Sequence, residues 1–405
     1  MQYFTNPQKL KLARSLVAKT SPAYIQFYIT ARCNLACEQC NIIYAHADSQ
    51  EMSIEQIRAM ARNMAQIGVC IVLLIGGEPF VRQDIDLIVK AFSDEGIHVR
   101  LQTNGLATKA KMEQCIAAGA HDISISLDSL DPDTQDTING DFKNSWDKAI
   151  NTMANVNAVF PENGTAFFGT VLMPRNLFHI LDVAEFATKI GWGVSLVPAH
   201  VTTPGEARGF RTFDDSGICR FAPQSLPFVR KVLDECRDLR NAGLNLYDSD
   251  EYLEDIYRFI AGEPLHWRRR NNDVCDSPNL YFAVEPNGNM SPCCDFKLDR
   301  SFPVYHPDFP KWYRSGEIHR EVYAFTEPCA GCLYGSYPEI TVTARFLKPM
   351  FKRFFYFNES RPQLARMTGP EMRGVAQEIF DKNRARREDS GKELAAILSR
   401  APAIA

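Results

Sequence analysis

The stretch AYIQFYITARCNLACEQC, residues 23–40, joins a strand pattern to a loop with three cysteines. Its first eight residues alternate and are rich in aromatic and β-branched side chains, which predicts a strand. The loop holds Cys33, Cys37 and Cys40 at the spacing C-x3-C-x2-C. Three thiolates on one short loop can converge on one cubane iron–sulfur cluster. A four-iron cluster with three cysteine ligands keeps one iron open for a substrate or cofactor.

Two other interpretations of this loop are zinc ligation and buried, inert thiols. Zinc sites usually take four ligands, often as C-x2-C pairs with a second pair elsewhere. The spacing alone favours a cluster, and the rest of the chain strengthens that interpretation.

Downstream of the loop, strand and helix patterns alternate as far as residue 197. Strands are predicted over 23–30, 69–74, 98–102, 122–127, 165–172 and 193–197, with helical patterns between them. Strands that alternate with helices imply a parallel sheet with crossover helices. Six units are too few for the closed eight-stranded barrel, so we predict an α/β fold, a partial (β/α)6 TIM-like barrel. Chemistry in such barrels lies at the carboxyl ends of the strands.

The bulk composition narrows the class of protein. Among 405 residues, 45 are basic and 49 acidic, for a net charge of −4, which gives no argument for nucleic acid as a partner. Residues 1–20 lack the apolar core of a secretory signal, and the longest apolar run, 69–75, falls far short of the ~18 residues that span a bilayer. A cytoplasmic protein is predicted. Because the cytosol keeps thiols reduced, we interpret the clustered cysteines as metal ligands or catalytic groups rather than disulfides.

A second cysteine group comprises Cys275, Cys293, Cys329 and Cys332. The segment YFAVEPNG, residues 281–288, predicts a hairpin with an Asn-Gly turn, which would bring the first two of these cysteines together. The C-x2-C pair could complete four thiolates. Such a set can hold zinc or a [4Fe–4S] cluster, and the donor chemistry alone does not choose between them. Cys294, next to Cys293, is a rival ligand.

Four segments after the first cysteine loop make the chain resemble the radical S-adenosylmethionine (SAM) superfamily. Gly76-Gly77-Glu78-Pro79 follows the second strand and resembles the segment that binds the SAM amino group. Thr103-Asn104-Gly105 matches the usual end of the third strand, which adds Asn104 to the expected SAM-binding residues. SISLD, with Ser126 and Asp128, matches the fourth strand, and TVLMPRN, residues 170–176, resembles the fifth-strand segment near adenosine.

The resemblance implies a cofactor and a chemistry. Cys33, Cys37 and Cys40 would hold a [4Fe–4S] cluster whose open iron is chelated by SAM. An electron from the cluster would cleave SAM to a 5′-deoxyadenosyl radical that abstracts hydrogen from the substrate. Reduced flavodoxin or ferredoxin is the implied electron donor. One departure is Gln39, where the family commonly has an aromatic residue that packs on adenine; Tyr44 is a candidate replacement.

The second cysteine group resembles the SPASM/twitch extension of the same superfamily. The full SPASM form has seven cysteines and two auxiliary clusters, but no cysteine follows Cys332 here. The short twitch form is the closer match, with one auxiliary [4Fe–4S] cluster on Cys275, Cys293, Cys329 and Cys332. The Gly-x4-Cys spacing from Gly288 favours Cys293 over Cys294. A cluster with four cysteine ligands would transfer electrons, which favours a net oxidation.

The expected function is therefore that of a radical SAM, oxidoreductase-like enzyme. Its expected substrate is a small molecule, such as a sugar, cyclitol or natural-product intermediate, that is oxidised or rearranged. Two other enzyme classes stay open, a peptide maturase and a lipid-modifying enzyme docked at a membrane surface. The non-enzyme alternative is an iron–sulfur scaffold or sensor. The sequence identifies no acid/base catalytic residue.

The predicted organisation has five parts. They are an N-terminal helix (1–22), the partial barrel (23–212), a helical connector (213–270), an auxiliary-cluster domain (271–340) and a helical tail (341–405).

Within the tail, RFLKPMFKRFFYF, residues 345–357, combines helical apolar spacing with basic residues at 345, 348, 352 and 353. Such a helix binds a membrane surface or packs its aromatic face on the auxiliary domain. Pro349 would have to lie in its first turn.

Two single residues also have open roles. His200 follows the sixth strand and could reach the substrate. Arg175 follows the fifth strand, where it could meet a carboxylate or lie on the surface.

Overall fold

A computed structural model describes residues 5–40, 42, 50–161, 164–200, 217–267, 275–294, 296–358 and 363–399. Six parallel strands form the barrel wall in the order β6-β5-β4-β3-β2-β1. They are β1 (Tyr24–Thr30), β2 (Ile71–Gly76), β3 (His98–Thr103), β4 (Asp122–Ser126), β5 (Thr165–Leu172) and β6 (Gly193–Pro198). The partial barrel predicted from the alternating pattern is confirmed.

Helices cover the outer face of this sheet. They are α2 (Ile54–Ile67), α3 (Ile85–Asp94), α4 (Lys109–Ala117), α5 (Pro132–Ile138), α6 (Ser145–Val159) and α7 (Ile180–Ile190), whereas α1 (Asn6–Ala18) lies at the end of the sheet where β1 and β2 begin. In α2, the N-cap Ser53 accepts from the Gln56 amide in a capping box, and Ile57, Met60 and Met64 are buried on the core face. Helical periodicity therefore gives both the start of α2 and its buried stripe.

The second cysteine segment joins the barrel sheet. β7 (Tyr281–Val284) pairs in parallel with β1, with Tyr24 opposite Tyr281, and β8 (Met290–Ser291) returns antiparallel to β7. The predicted hairpin is present, since the Gly288 amide donates to Glu285 O at 2.9 Å. The hairpin covers the free edge of β1 and brings the second cysteine group beside the first loop.

The remaining helices follow the barrel in two groups. After β6 come α8 (Leu226–Asn241), α9 (Asp250–Ala261), α10 (Phe309–Arg314) and α11 (Glu317–Thr326). The tail contains α12 (Ser336–Arg345), α13 (Leu347–Asn358), α14 (Gly369–Lys382) and α15 (Arg384–Leu398). Among the described residues, no helix has the length and apolarity needed to cross a bilayer.

The end of the tail is tied to the barrel by a buried ion pair. Asp182 of α7 is fully buried and pairs with Arg387 and, at 2.5 Å, with Arg386. The tail also crosses the end of α7 closely: a Cβ on Gly191 would lie 1.8 Å from Gln363 O. Only glycine permits that crossing, which also has a positive φ of 76°.

Candidate functional site

The three cysteines of the 33–40 loop line one cavity of about 270 Å³ at the carboxyl ends of the strands. Of the other residues expected to bind the cofactor, Gly76, Gly77, Pro79, Asn104 and Ser126 line the same cavity. Glu78 and Asp128 lie behind its wall, each 1% exposed. The structure thus gathers most of the predicted site around one space at the barrel mouth.

The surrounding protein makes these thiols weak acids, so they stay protonated until a metal centre binds. Burial raises the pKa of Cys33 and, to about 11, the pKa of Cys40. It also raises the pKa of Cys37, an effect that Cys40, Asp128 and Cys33 increase. Thiolates in such surroundings need a bound cationic centre, and binding it would release protons. Three such thiols around one cavity form a donor set that fits a cluster with an open iron.

The glycine pair after β2 makes room for the cysteine loop itself. A Cβ on Gly76 would lie 2.3 Å from Thr30 O, and one on Gly77 would lie 2.2 Å from Arg32 O. Both contacts are with backbone, so a side chain at either position would displace the chain that leads into Cys33. The glycine pair therefore has a packing role beside the cysteine loop, in addition to the SAM binding that the resemblance implies.

Glu78 positions Asn104 rather than lining the cavity. Its carboxylate accepts from the Asn104 amide at 2.7 Å, from Thr103 Oγ1 at 2.9 Å and from the Phe80 amide at 3.0 Å. Burial raises the pKa of Glu78 to about 7, and the three hydrogen bonds oppose the rise. Asn104 Nδ2 in turn donates to Asn34 Oδ1 at 2.7 Å and lies 3.8 Å from Cys33 Sγ. The ends of β2 and β3 are thereby joined to the cysteine loop.

Asp128 has a similar place behind β4 and β5. Its Oδ1 accepts from the Val171 amide at 2.7 Å, and its Oδ2 accepts from Gln39 Nε2 at 3.3 Å. Gln39, which stands where the family commonly has an aromatic residue, thus ties the cysteine loop to β4. Tyr44, its candidate replacement at adenine, lies outside the described residues. Burial raises the pKa of Asp128 to about 7.

We expect Asp128→Asn to change the pH dependence of stability. In the unfolded chain, Asp128 loses its proton near its ordinary pKa of 3.8. In the folded protein, the raised pKa keeps Asp128 protonated up to about pH 7. Wild type therefore loses stability as pH rises through this window and stays at the lower level above it. Asparagine resembles the protonated acid, so the variant should be more stable than wild type at pH 8, by on the order of 1–3 kcal/mol, and should lose that advantage near pH 4. Urea unfolding of the metal-free protein at both pH values tests this; a pH-independent difference would contradict it.

A second cavity of about 240 Å³ continues into the barrel lumen. It shares several wall residues with the first cavity, among them Tyr28, Gln102, Ser126, Cys294 and Tyr334. A polar layer lines its deeper part, comprising Gln26, Arg100, Ser124, Ser195 and Glu339. The two cavities together offer adjacent spaces for a cofactor at the mouth and a substrate group below it.

Several of these wall residues were missed in the sequence. Alternate residues of a strand point to one face, and Gln26 and Tyr28 of β1, Arg100 and Gln102 of β3, and Ser124 and Ser126 of β4 follow that rule. Polar residues at alternate positions of otherwise apolar strands were the available signal. Tyr334 carried none, because it reaches the lumen from the distant segment after Cys332.

His200 and Arg175 link parts of the site. His200 lines the upper cavity, its Nε2 accepts from the Leu333 amide at 3.0 Å, and its ring stacks on Tyr334 at 3.8 Å between centroids. It thereby joins the end of β6 to the second cysteine segment. Arg175 pairs with Glu38 at 3.2 Å, which joins the segment after β5 to the first cysteine loop.

Cys293 and Cys294 occupy different surroundings. The Cys294 thiol lies 2.9 Å from Tyr28 Oη and donates to Gln26 Oε1 at 3.3 Å. It is buried in the barrel and lines both cavities. Cys293 is less buried, although Cys275, Cys293 and Cys294 all pack in one apolar cluster. The geometry supports the proposal that Cys293, and not Cys294, is the auxiliary ligand.

Iron content distinguishes the two neighbours. We expect Cys293→Ala to lower the iron of the reconstituted protein by about four atoms per chain, the content of one cubane. Cys294→Ser should keep the wild-type content, because its thiol faces the lumen. Both variants are measured after the same anaerobic reconstitution. The reverse pattern would make Cys294 the ligand.

Two of the other cysteines proposed as auxiliary ligands, Cys275 and Cys332, lie near Tyr281. Burial raises the pKa of Tyr281 well above its usual range, and Cys275 and Cys332 act in the same direction. The Ser277 hydroxyl donates to Pro292 O at 2.7 Å, which holds the segment after Cys275 against the segment before Cys293. Cys329 Sγ accepts from the Gly331 amide at 3.4 Å within the C-x2-C loop. Within the described parts of the chain, no three His, Cys, Asp or Glu side chains are spaced to share a single metal ion.

The open parallel barrel, with the cysteine loop after β1 and the glycine pair after β2, is a radical SAM fold. Residues 27–187 match the family model described as the radical SAM superfamily, so this part of the chain is a radical SAM domain. Members of the superfamily are enzymes that bind a [4Fe–4S] cluster and SAM.

Curated relatives are similar to part of the chain. The AdoMet-dependent heme synthase of Methanosarcina barkeri is 30% identical over 179 residues, which are 44% of this chain and 50% of that protein. The PqqA peptide cyclase of Rhizobium meliloti is 32% identical over 140 residues, which are 34% of this chain and 37% of that protein. The chain thus spans half or less of the length of these relatives.

A solved structure extends the likeness beyond the matched domain. Streptococcus suis SuiB bound to S-adenosylmethionine superposes with a TM-score of 0.57 at 19% identity, covering 78% of this chain and 73% of SuiB. A second SuiB structure, bound to the precursor peptide SuiA, has a TM-score of 0.55 at 16% identity and covers 76% of this chain and 68% of that one. At such identities the likeness shows the fold alone.

Proposed function

We propose that this chain is a radical SAM enzyme that abstracts a hydrogen atom from a peptide substrate and passes an electron to an auxiliary cluster. The observation that carries the radical SAM chemistry is the cavity shared by the three cysteines, Gly76-Gly77, Asn104 and Ser126. The sequence favoured a small-molecule substrate over a peptide, whereas the comparisons support a peptide substrate better. Its support is the PqqA peptide cyclase among the relatives and the SuiB likeness, which reaches past residues 27–187.

The chain's own residues would position the cofactors and exclude water from them. When bound, SAM at a reduced four-iron cluster supplies hydrogen-atom abstraction. Cys33, Cys37 and Cys40 would hold that cluster, and Asn104, fixed by Glu78, would orient SAM. Apolar side chains at the cavity mouth exclude water from the reacting groups; they include Ile42, Ile75, Val171, Val197 and Pro198. The substrate group would enter the lower cavity, beside Tyr28 and Cys294.

Cys275, Cys293, Cys329 and Cys332 would hold the auxiliary cluster of this proposal. Its place beside β1 and β7 puts it next to the barrel, within reach of an electron that leaves the substrate. Reduced flavodoxin or ferredoxin is the proposed donor to the first cluster.

The test measures 5′-deoxyadenosine formed from SAM under dithionite by the anaerobically reconstituted protein. Peptides encoded by short reading frames beside the gene are added in one arm, and the low-molecular-weight fraction of a host extract in the other. We expect a peptide to stimulate SAM cleavage and to lose two hydrogen atoms by mass spectrometry, as a net oxidation requires. Stimulation by the small-molecule fraction alone would restore the small-molecule alternative. No SAM cleavage in any arm would overturn the proposed function.

A further inference from the structure

In the parts of the chain that the structure describes, the most exposed large apolar side chains lie on two helices. Among the described residues, four are more than half exposed: Leu10 at 73%, Val17 at 76%, Leu347 at 70% and Phe351 at 57%. The first two belong to α1 and the last two to α13. Single exposed apolar residues are ordinary, but a concentration on neighbouring elements marks an interaction surface.

On each helix the exposed apolar residues form one stripe. In α1, Leu10, Ala13, Arg14 and Val17 are exposed, which is the spacing of one helical face. In α13, Leu347 and Phe351 are four residues apart, and the exposed Lys348 and Lys352 follow them. The outer face of each helix therefore combines apolar and basic residues, whereas the outer face of an ordinary surface helix is polar.

The two helices lie at the same end of the barrel. A cavity of about 100 Å³ is lined by Leu12 and Leu16 of α1, Ile340 of α12 and Arg353 of α13. Tyr24 and Ile71, the first residues of β1 and β2, also line it. Since the cysteine loop follows the last residue of β1, α1 and α13 flank the opposite end of the barrel.

The two helices carry basic but no acidic side chains. No acidic residue occurs from residue 1 to 37 or from 340 to 358, although the whole chain has a net charge of −4. In contrast to the cationic face predicted from sequence, two of the basic residues point inward: Arg345 pairs with Asp276 at 3.0 Å, and Arg353 pairs with Glu339. Lys348 and Lys352 stay 63% and 50% exposed and share Asp250.

We propose that these two helices dock the enzyme onto an anionic lipid bilayer. The docking surface comprises Leu10, Val17, Leu347, Phe351, Lys348 and Lys352. The four apolar side chains insert at the headgroup level, and the lysines, together with Arg14, contact lipid phosphates. An anionic bilayer fits this surface better than a neutral apolar partner does, because exposed Leu347 and Phe351 are each followed by an exposed lysine on the outer face of α13. Docking leaves the cysteine-bearing end facing away from the lipid, and it is independent of the proposed reaction.

The test is sedimentation of the full-length reconstituted protein with sucrose-loaded vesicles. We expect binding to vesicles of phosphatidylcholine mixed with phosphatidylglycerol, weaker binding to phosphatidylcholine alone, and a decline as salt rises. Leu347→Ser combined with Phe351→Ser should weaken binding to the mixed vesicles by more than about 10-fold. Lys348→Gln combined with Lys352→Gln should weaken it by roughly 10-fold and reduce its salt dependence.

Matched controls are Leu87→Ser and Tyr323→Ser, which alter residues that are 41% and 40% exposed elsewhere on the protein. They should bind vesicles like wild type. Thermal melts and iron content exclude misfolding of each variant. Failure of wild type to bind the mixed vesicles would overturn the proposal, as would binding insensitive to the α13 substitutions. Concentration-dependent dimerisation that Phe351→Ser abolishes, without vesicle binding, would instead assign the surface to a second copy. SAM cleavage, assayed on the same preparations, reports separately on the proposed function.

Discussion

Replacing Cys33, Cys37 and Cys40 together by alanine is expected to lower iron from about eight to about four atoms per chain, since each cubane holds four. The same variant should reduce SAM cleavage to background. The physical reason is that all three thiols line one cavity, and their raised pKa values keep them protonated unless a cationic cluster binds. Iron and sulfide analysis after anaerobic reconstitution gives the first readout, and 5′-deoxyadenosine formation gives the second.

Cys236→Ala is the matched control, because Cys236 is a buried thiol of α8 outside both cysteine groups. It should keep both the iron content and SAM cleavage. A triple variant with wild-type iron would remove the 33–40 loop from the cluster site. Wild type with about four irons and a triple variant with none would instead remove the auxiliary cluster and the oxidative part of the proposed function.

Gly77→Ala is expected to damage the site without removing any ligand. Its Cβ would lie 2.2 Å from Arg32 O and 2.6 Å from Arg32 C, so the backbone that leads into Cys33 must move. Overpacking against an atom that cannot rotate away should cost about 1–3 kcal/mol in the free energy of unfolding. A displaced cysteine loop should also weaken SAM binding by about tenfold or more, equivalent to ~1.4 kcal/mol. Urea unfolding and SAM titration of the reconstituted protein measure the two effects.

Gly169→Ala provides the comparison within the same barrel. Gly169 lies in β5, and the nearest atom to an added Cβ is Ser124 Oγ at 3.5 Å, an ordinary contact. Its effects on stability and SAM binding should be small. If the two alanine variants behave alike, the close approach of Gly77 to Arg32 does not hold the cysteine loop in place.

Much of the barrel was predictable because its signals are local. Alternation in residues 23–30, the apolar run before Gly76-Gly77 and the Ser53 cap each predict a single element from its own residues. The six strands occur where predicted, to within a few residues at their ends. The short helix α5, Pro132–Ile138, was missed, since seven residues show too little periodicity to be recognised.

The sequence motifs brought together most of the residues that line the upper cavity, but they did not show which way each side chain points. The sequence motifs include Glu78 and Asp128 among the expected cofactor-binding residues, yet both carboxylates are turned into the protein, where they hold Asn104 and Val171. Their contacts are with residues 26 and 43 positions away, so no local pattern could show which way they point. The same holds for Cys294, whose partners Tyr28 and Gln26 are 266 and 268 residues distant.

The sequence by itself determined the class of fold, the cysteine spacing and the chemistry that those thiols favour, because these depend on residues close together along the chain. Only the tertiary structure decided that the second cysteine hairpin extends the barrel sheet at β1, that Cys294 faces the lumen, and that Arg345 and Arg353 turn inward while Leu347 and Phe351 stay exposed. Strand pairing, cavity walls and the exposed face of a helix arise from contacts between distant segments, which spacing along one segment does not encode.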